Sequence, residues 1–228
     1  MIRTWERERV VLDEVLSGNV PEFLRELAPI TLADHGHQGV AYVARDYLAI
    51  GTDADYVRIP MTIRTAKKIC KATKTIFPTP HLVDLVYMQA DARVTSPTEP
   101  PGVEMGTNPY IQSHNRAIEA RIRRDHVSVG ELVAGEKKDV VITRRMLETP
   151  GRTPIYGWMR PDGEVIQPLS LVHDDKHVDY AHGIRLVSRD VTVDGATIDL
   201  LDVLANRELA GLLSDEGKFD LRVSWDRF

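Results

Sequence analysis

The feature that most constrains the fold is a turn. Arg160-Pro161-Asp162-Gly163 lies between two β-rich runs, Thr153–Met159 and Glu164–Leu169. Proline presets φ early in the turn and glycine supplies a positive φ at its end, so the two runs should fold back as antiparallel strands. Other short β-rich runs at Asp139–Thr143, Gly183–Val187 and Asp190–Val193 place most of the strand signal after residue 130.

Before that point the periodicity is mostly helical. Trp5, Val11, Leu12, Val15 and Leu16 recur at near-helical spacing up to a stop at Ser17-Gly18-Asn19, and Pro21 opens a short helix to Leu27. Thr62–Phe77 carries Ile63, Ala66, Ile69 and Ile76 on one side and Arg64, Lys67, Lys68, Lys71 and Lys74 on the other, and Pro78-Thr79-Pro80 breaks it. His81–Arg93 and Tyr110–Arg124 are the next helices, separated by an irregular loop over Ser96–Asn108. Between the early helices, Val40–Ala44 and Tyr47–Ile50 form two β-rich runs around a turn at Arg45-Asp46. The last periodic segment, Thr197–Leu213, reads as a helix capped by Thr197.

Helices first, strands next and a helix last predict an α+β fold: a helical N-terminal half packed on a mainly antiparallel β-sheet, then a C-terminal helix. A chain of 228 residues suits one domain. A division within it would fall near 97–107, leaving a helical portion over 1–97 and a sheet-containing portion over 107–228.

The formal net charge of −5, with acids and bases interspersed, argues against a nucleic-acid or anionic-membrane partner. The single cysteine, Cys70, rules out an intramolecular disulfide and an all-cysteine metal site, and its place in an apolar helix face predicts a buried thiol. The N-terminus has no apolar signal region and no apolar run reaches membrane-spanning length, so the expected compartment is cytoplasmic; a protein released by lysis would read the same.

Chemistry concentrates in His173-Asp174-Asp175-Lys176-His177-Val178-Asp179-Tyr180-Ala181-His182, which holds three of the chain's eight histidines. An apolar run follows at once, the pattern of a polar rim carried on a buried strand. His173, Asp179 and His182 offer imidazole and carboxylate ligands for a divalent metal such as zinc, although no standard zinc signature is met. Without metal, His182 or His173 acts as general base, Asp179 orients it, and Arg185 holds an anionic group. Lys138, at the mouth of the Val140–Ile142 run, could serve as base or anion holder through desolvation. Tyr156, Trp158 and Gln167 on the hairpin, Tyr180 in the cluster, and His114 at the head of a helix complete the candidate substrate contacts. The pair His35 and His37 is a weaker ligand candidate, because the adjacent glycines favour a flexible loop there.

Ala181-His182-Gly183-Ile184-Arg185-Leu186 resembles a stretch of the L,D-transpeptidase signature, Ser-His-Gly-Cys-Ile-Arg-Leu, and His173 falls upstream as a second histidine would. The resemblance covers about six residues and implies cell-wall peptide chemistry. The nucleophilic cysteine of that signature has no counterpart here, and Cys70 lies far off in the chain, so no thiolate acyl-enzyme is implied.

These readings lead to a hydrolase with a His/Asp-centred site acting on a polar polymer such as a cell-wall glycan or peptide, with or without a divalent metal. Two alternatives stay open. One is a non-catalytic binding or assembly module whose helical half supplies a homo-oligomer surface. The other is a metal-free lyase or isomerase using the same His, Asp and Lys groups.

Overall fold

The computed structural model describes residues 4–99 and 102–226. The fold is α+β with mainly antiparallel sheets. Helix α1 (Thr4–Leu16) leads into a short 3-10 turn, Glu22–Arg25, and then a long hairpin of β1 (Leu27–Asp34) and β2 (His37–Ala44). The hairpin closes at His35-Gly36, where both residues have positive φ, as a two-residue turn matching strand twist requires. A second hairpin follows, β3 (Ala49–Thr52) with β4 (Asp55–Arg58). The first 58 residues therefore hold four strands as well as a helix. The alternation of buried and exposed residues along Leu27–Asp34 is the period-2 signal of a half-buried strand.

Helix α2 (Ile63–Thr73) starts at Thr62, whose side chain accepts from the Thr65 N–H, and stops at Lys74 in the left-handed conformation. It buries Ile63, Ala66, Ile69 and Cys70, and burial pushes the Cys70 thiol up to about 12. The expected helical extension to Phe77 is instead β5 (Thr75–Ile76). Helix α3 (Pro80–Gln89) has Thr79 as N-cap and proline in its first turn; β6 (Ala92–Arg93) follows, then α4 (Asn108–Arg124).

The second half contains β7 (Val133–Ala134), β8 (Lys138–Val140), β9 (Arg152–Met159), β10 (Val165–Asp174), β11 (His182–Gly183), β12 (Val187–Ser188), β13 (Asp190–Val193) and β14 (Ala196–Asp199). The β9–β10 hairpin turns at 160–163 as expected, with the Gly163 N–H donating to the Arg160 carbonyl. Strand β10 runs on to Asp174, and two register shifts along it bend the hairpin. One sheet has the order β10-β9-β8-β11. The other has the order β14-β13-β2-β12-β5, with β1 also on β2. Among the described residues only β11–β8 and β6–β7 pair in parallel.

The helix expected over Thr197–Leu213 is not continuous. Asp194-Gly195, both at positive φ, makes a hairpin of β13 and β14, so Thr197 is a strand residue. Helix α5 is confined to Leu200–Ala205 and capped by Asp199; a 3-10 turn at Ala210–Leu212 and helix α6 (Arg222–Asp226) follow. One apolar core reaches from Val11 and Leu32 through Ile69, Phe77 and Val140 to Leu204 and Trp225, so both halves contribute to it. No helix among the described residues is long and apolar enough to cross a membrane.

Candidate metal centre

Two aspartate-led turns shape the histidine-rich segment. At the end of β10, the Asp174 carboxylate accepts from the Lys176 N–H, and the Asp174 carbonyl accepts from the His177 N–H. This reversal lays the His177 ring on the His173 ring, with centroids 3.9 Å apart and planes within 2°. Five residues later the pattern repeats: the Asp179 carboxylate accepts from the Ala181 N–H, and its carbonyl accepts from the His182 N–H. His182 then enters β11, opposite Lys138 of β8. Its ring lies 5.7 Å from that of His173 and 5.6 Å from that of His177. One ligand nitrogen from each of the three imidazoles falls within 4.8 Å of the other two.

The ligand set expected from the sequence is His173, Asp179 and His182. The structure assembles His173, His177 and His182, with Asp179 engaged elsewhere. The Asp179 carboxylate sits 3.1 Å from Lys138 Nζ. Burial alone would raise Asp179, but His182, Lys138 and the Ala181 N–H outweigh it and hold the carboxyl below its ordinary range. No hydrogen bond links it to the His182 ring. Both ring nitrogens of His182 are buried without a hydrogen-bond partner, and the residue is 1 % exposed. The triad-like role expected for Asp179, fixing the His182 tautomer, does not fit this geometry.

Burial drives the His182 imidazole down to about 3; Asp179 opposes this, and Lys138 and the other two imidazoles add to it. His173 is lowered by burial, His177 and Lys138. Neutral imidazole is the ligand form, so His182 and His173 are held ready for a cation at neutral pH. A tetrahedral zinc with Zn–N of about 2.0–2.1 Å would place its nitrogens roughly 3.4 Å apart, so the 4.8 Å spacing would have to close by up to about 1.4 Å and the stacked His173 and His177 rings would have to turn until both planes meet at the ion. A tetrahedral ion held by these three histidines would keep one position open for a further ligand.

The remaining candidates lie elsewhere. Lys138 flanks the cluster, with Nζ 5.4 Å from the Trp158 ring centre. Its neighbour Lys137 is fully buried: burial and then Arg58 lower it to about 7, and its Nζ donates to the Tyr180 carbonyl at 2.8 Å. His114, expected as a substrate contact at the head of a helix, is fully buried. Its Nε2 lies 2.9 Å from Ser96 Oγ and its Nδ1 3.4 Å from Lys137 Nζ. Trp158 Nε1 also donates to Ser96, which in turn donates to the Glu136 carbonyl. Burial and the charges of Lys137, Arg58 and Lys138 lower His114 to about 2, so it is a neutral core residue. Trp158 and Tyr180 pack with Ile111 and Ala181 in the same buried cluster.

Gly157 and Trp158 both take positive φ, which breaks the strand alternation, so Tyr156 falls on another face. It packs near Val83 and donates to Asp84 at 2.9 Å. Gln167 donates to the neighbouring Pro168 carbonyl. Arg185 is buried, donating to the Ala44 and Val133 carbonyls at 2.7 Å each and lying over the Tyr47 ring. It braces the core, and the anion-holding role expected of it does not fit. His35 and His37 each face their own carboxylate, Asp34 and Asp194, at 2.6 Å.

The overlooked member of the cluster is His177. The signal for it was the doubled Asp-x-x-His, at 174–177 and 179–182, in which each aspartate builds the turn that presents its histidine. The six residues resembling the L,D-transpeptidase signature run from this site straight into the core. A Cβ at Gly183 would collide with the Tyr47 ring, and Ile184 and Arg185 are buried. Compared with known proteins, the chain matches no family model, no curated protein and no solved structure.

Proposed function

We propose that this chain is a metal-dependent hydrolase whose divalent ion, zinc by ligand chemistry, is held by His173, His177 and His182. The observation that carries this reading is His182. A buried imidazole with neither nitrogen hydrogen-bonded is costly, and it faces two further imidazoles at ligand spacing. Coordination satisfies one of those nitrogens and explains why three histidines meet there.

An ion held by His173, His177 and His182 would supply Lewis acidity, which acidifies water and polarises a carbonyl or phosphoryl oxygen of the substrate. The protein's own contribution is placement. Asp174 and Asp179 hold the ligand-bearing turns, and Asp179 anchors Lys138, whose ammonium offers positive charge beside the cluster for an oxyanion forming in the transition state. Polar polymers of cell-wall glycan or peptide type remain the proposed substrates. A metal-free lyase or isomerase finds less support, because it needs a base oriented by a hydrogen bond that His182 lacks.

The test is turnover of the zinc-loaded and chelator-stripped protein on chromogenic ester, glycoside, phosphate and peptide substrates. The reading expects hydrolysis of at least one class, lost on stripping, restored by zinc and absent from His182→Leu. Activity indifferent to chelation, or no hydrolysis of any class by zinc-loaded protein, would overturn it.

A further inference from the structure

A cleft of about 480 Å³ opens between α2 and the loop that precedes β9. Its walls carry two chemistries. Ile63, Met146 and Pro150 supply apolar surface, and Arg64, Lys67, Lys68 and Arg152 supply cations. Asp175 is the one acid lining it among the described residues, and it is paired with Arg64 at 2.6 Å. Such a concentration of positive charge stands out in a chain whose net charge is −5.

The arrangement is built rather than incidental. Arg64, Lys67 and Lys68 follow the i, i+3, i+4 spacing that puts side chains on one face of a helix. Lys67 is only 5 % exposed, and its ammonium lies 4.5 Å from the ring centre of the buried Trp225. This fixes one cation at the inner wall, where charge acts through less water than at an open surface. On the opposite side, the Asp175 N–H donates to the Gly151 carbonyl and sets the loop that carries Arg152. Small-molecule sites have this size and this pairing of apolar wall with a few converging polar groups.

We propose that this cleft binds a small amphiphilic oxyanion, a carboxylate or phosphate ester whose charged end meets Lys67, Lys68 and Arg152 and whose apolar body packs on Ile63, Met146 and Pro150. The assignment is independent of the metal reading, since no cleft residue is a proposed ligand. The cleft nevertheless lies at the strand end that carries His173: Arg152 pairs in register with Asp174, and Asp175 follows it.

The probe is 8-anilinonaphthalene-1-sulfonate, a sulfonate on an aromatic body, titrated into the full chain by fluorescence and displaced with octanoate or with octyl phosphate. Binding should saturate at one probe per chain, weaken as salt rises, and yield to one or both competitors; which of them is stronger identifies the headgroup. The double variant Lys68→Glu/Arg152→Glu changes two exposed side chains and should weaken binding at least tenfold. Met146→Trp, which fills the apolar wall with every charge kept, should also weaken it. The control Arg116→Glu/Arg123→Glu makes the same net charge change on α4 and should bind as the wild type does. Unsaturable binding, no displacement by either competitor, or equal losses in the control and the cleft double variant would overturn the proposal.

Discussion

Replacing His182 with leucine should raise the stability of the metal-free protein and lower that of the zinc-loaded protein. In the metal-free fold both ring nitrogens are buried and unpartnered. Each unsatisfied buried polar group costs about 1–3 kcal/mol, and an apolar side chain of similar size removes that cost. A net gain of about 1–3 kcal/mol corresponds to a rise of roughly 2–12 °C in melting temperature for a chain of this length. Zinc reverses the order. A ligand at a hundredfold excess over its dissociation constant stabilises the native state by about 2.7 kcal/mol, roughly 5–10 °C on the same scale, and His182→Leu forfeits most of it. Differential scanning calorimetry of both proteins, with chelator and with zinc, reads the two signs. If metal-free His182→Leu melts below metal-free wild type, the His182 nitrogens are satisfied in the fold and the reasoning fails.

Three further outcomes follow from the same geometry. His114 titrates near pH 6.5 when unfolded but is lowered to about 2 by burial and neighbouring cations in the fold. The unfolded chain therefore takes up the extra proton, so this stabilisation is whole above pH 6.5 and falls by about 1.4 kcal/mol per pH unit below it; urea unfolding at pH 6.5, 5.5 and 4.5 should show a shallower acid loss for His114→Phe than for wild type. Gly183→Ala should cost about 1–3 kcal/mol by overpacking against Tyr47, read by urea unfolding, and a neutral result would mean that Tyr47 yields freely. Asp174→Ala removes the carboxylate that accepts from the Lys176 N–H and should weaken zinc binding about 10-fold or more in competition with a chromophoric chelator, while unchanged affinity would show that the turn does not position His177.

Local signals carried much of the fold. The Pro161-Gly163 turn, the Pro78-Thr79-Pro80 break and the run Asp190–Val193 all act over a few residues, and the structure places elements where they point. Leu27–Asp34 and Ala196–Asp199 were legible too, because His35-Gly36 and Asp194-Gly195 are two-residue hairpin turns. Reading His35-Gly36 as a flexible loop and Thr197 as a helix cap hid both. Other features are not local. Arg185 is a core brace because its guanidinium meets carbonyls 141 and 52 residues away, which no spacing rule foresees. Lys137 is fully desolvated because of what packs over it from distant parts of the chain, Arg58 and Tyr180 among them. For the site, the cluster was visible as a concentration of histidines. Its membership was not, because choosing His177 over Asp179 depends on how two turns fold the segment and on Lys138 occupying the carboxylate.

The most direct test is X-ray absorption at the zinc edge on the full chain loaded with one equivalent of zinc. The account expects about one zinc per chain with three imidazole nitrogens and one light atom at about 2.0–2.1 Å, and loss of the imidazole signature in a variant lacking His173, His177 and His182. Failure to retain zinc, or a first shell of carboxylate oxygens without imidazole, would contradict it.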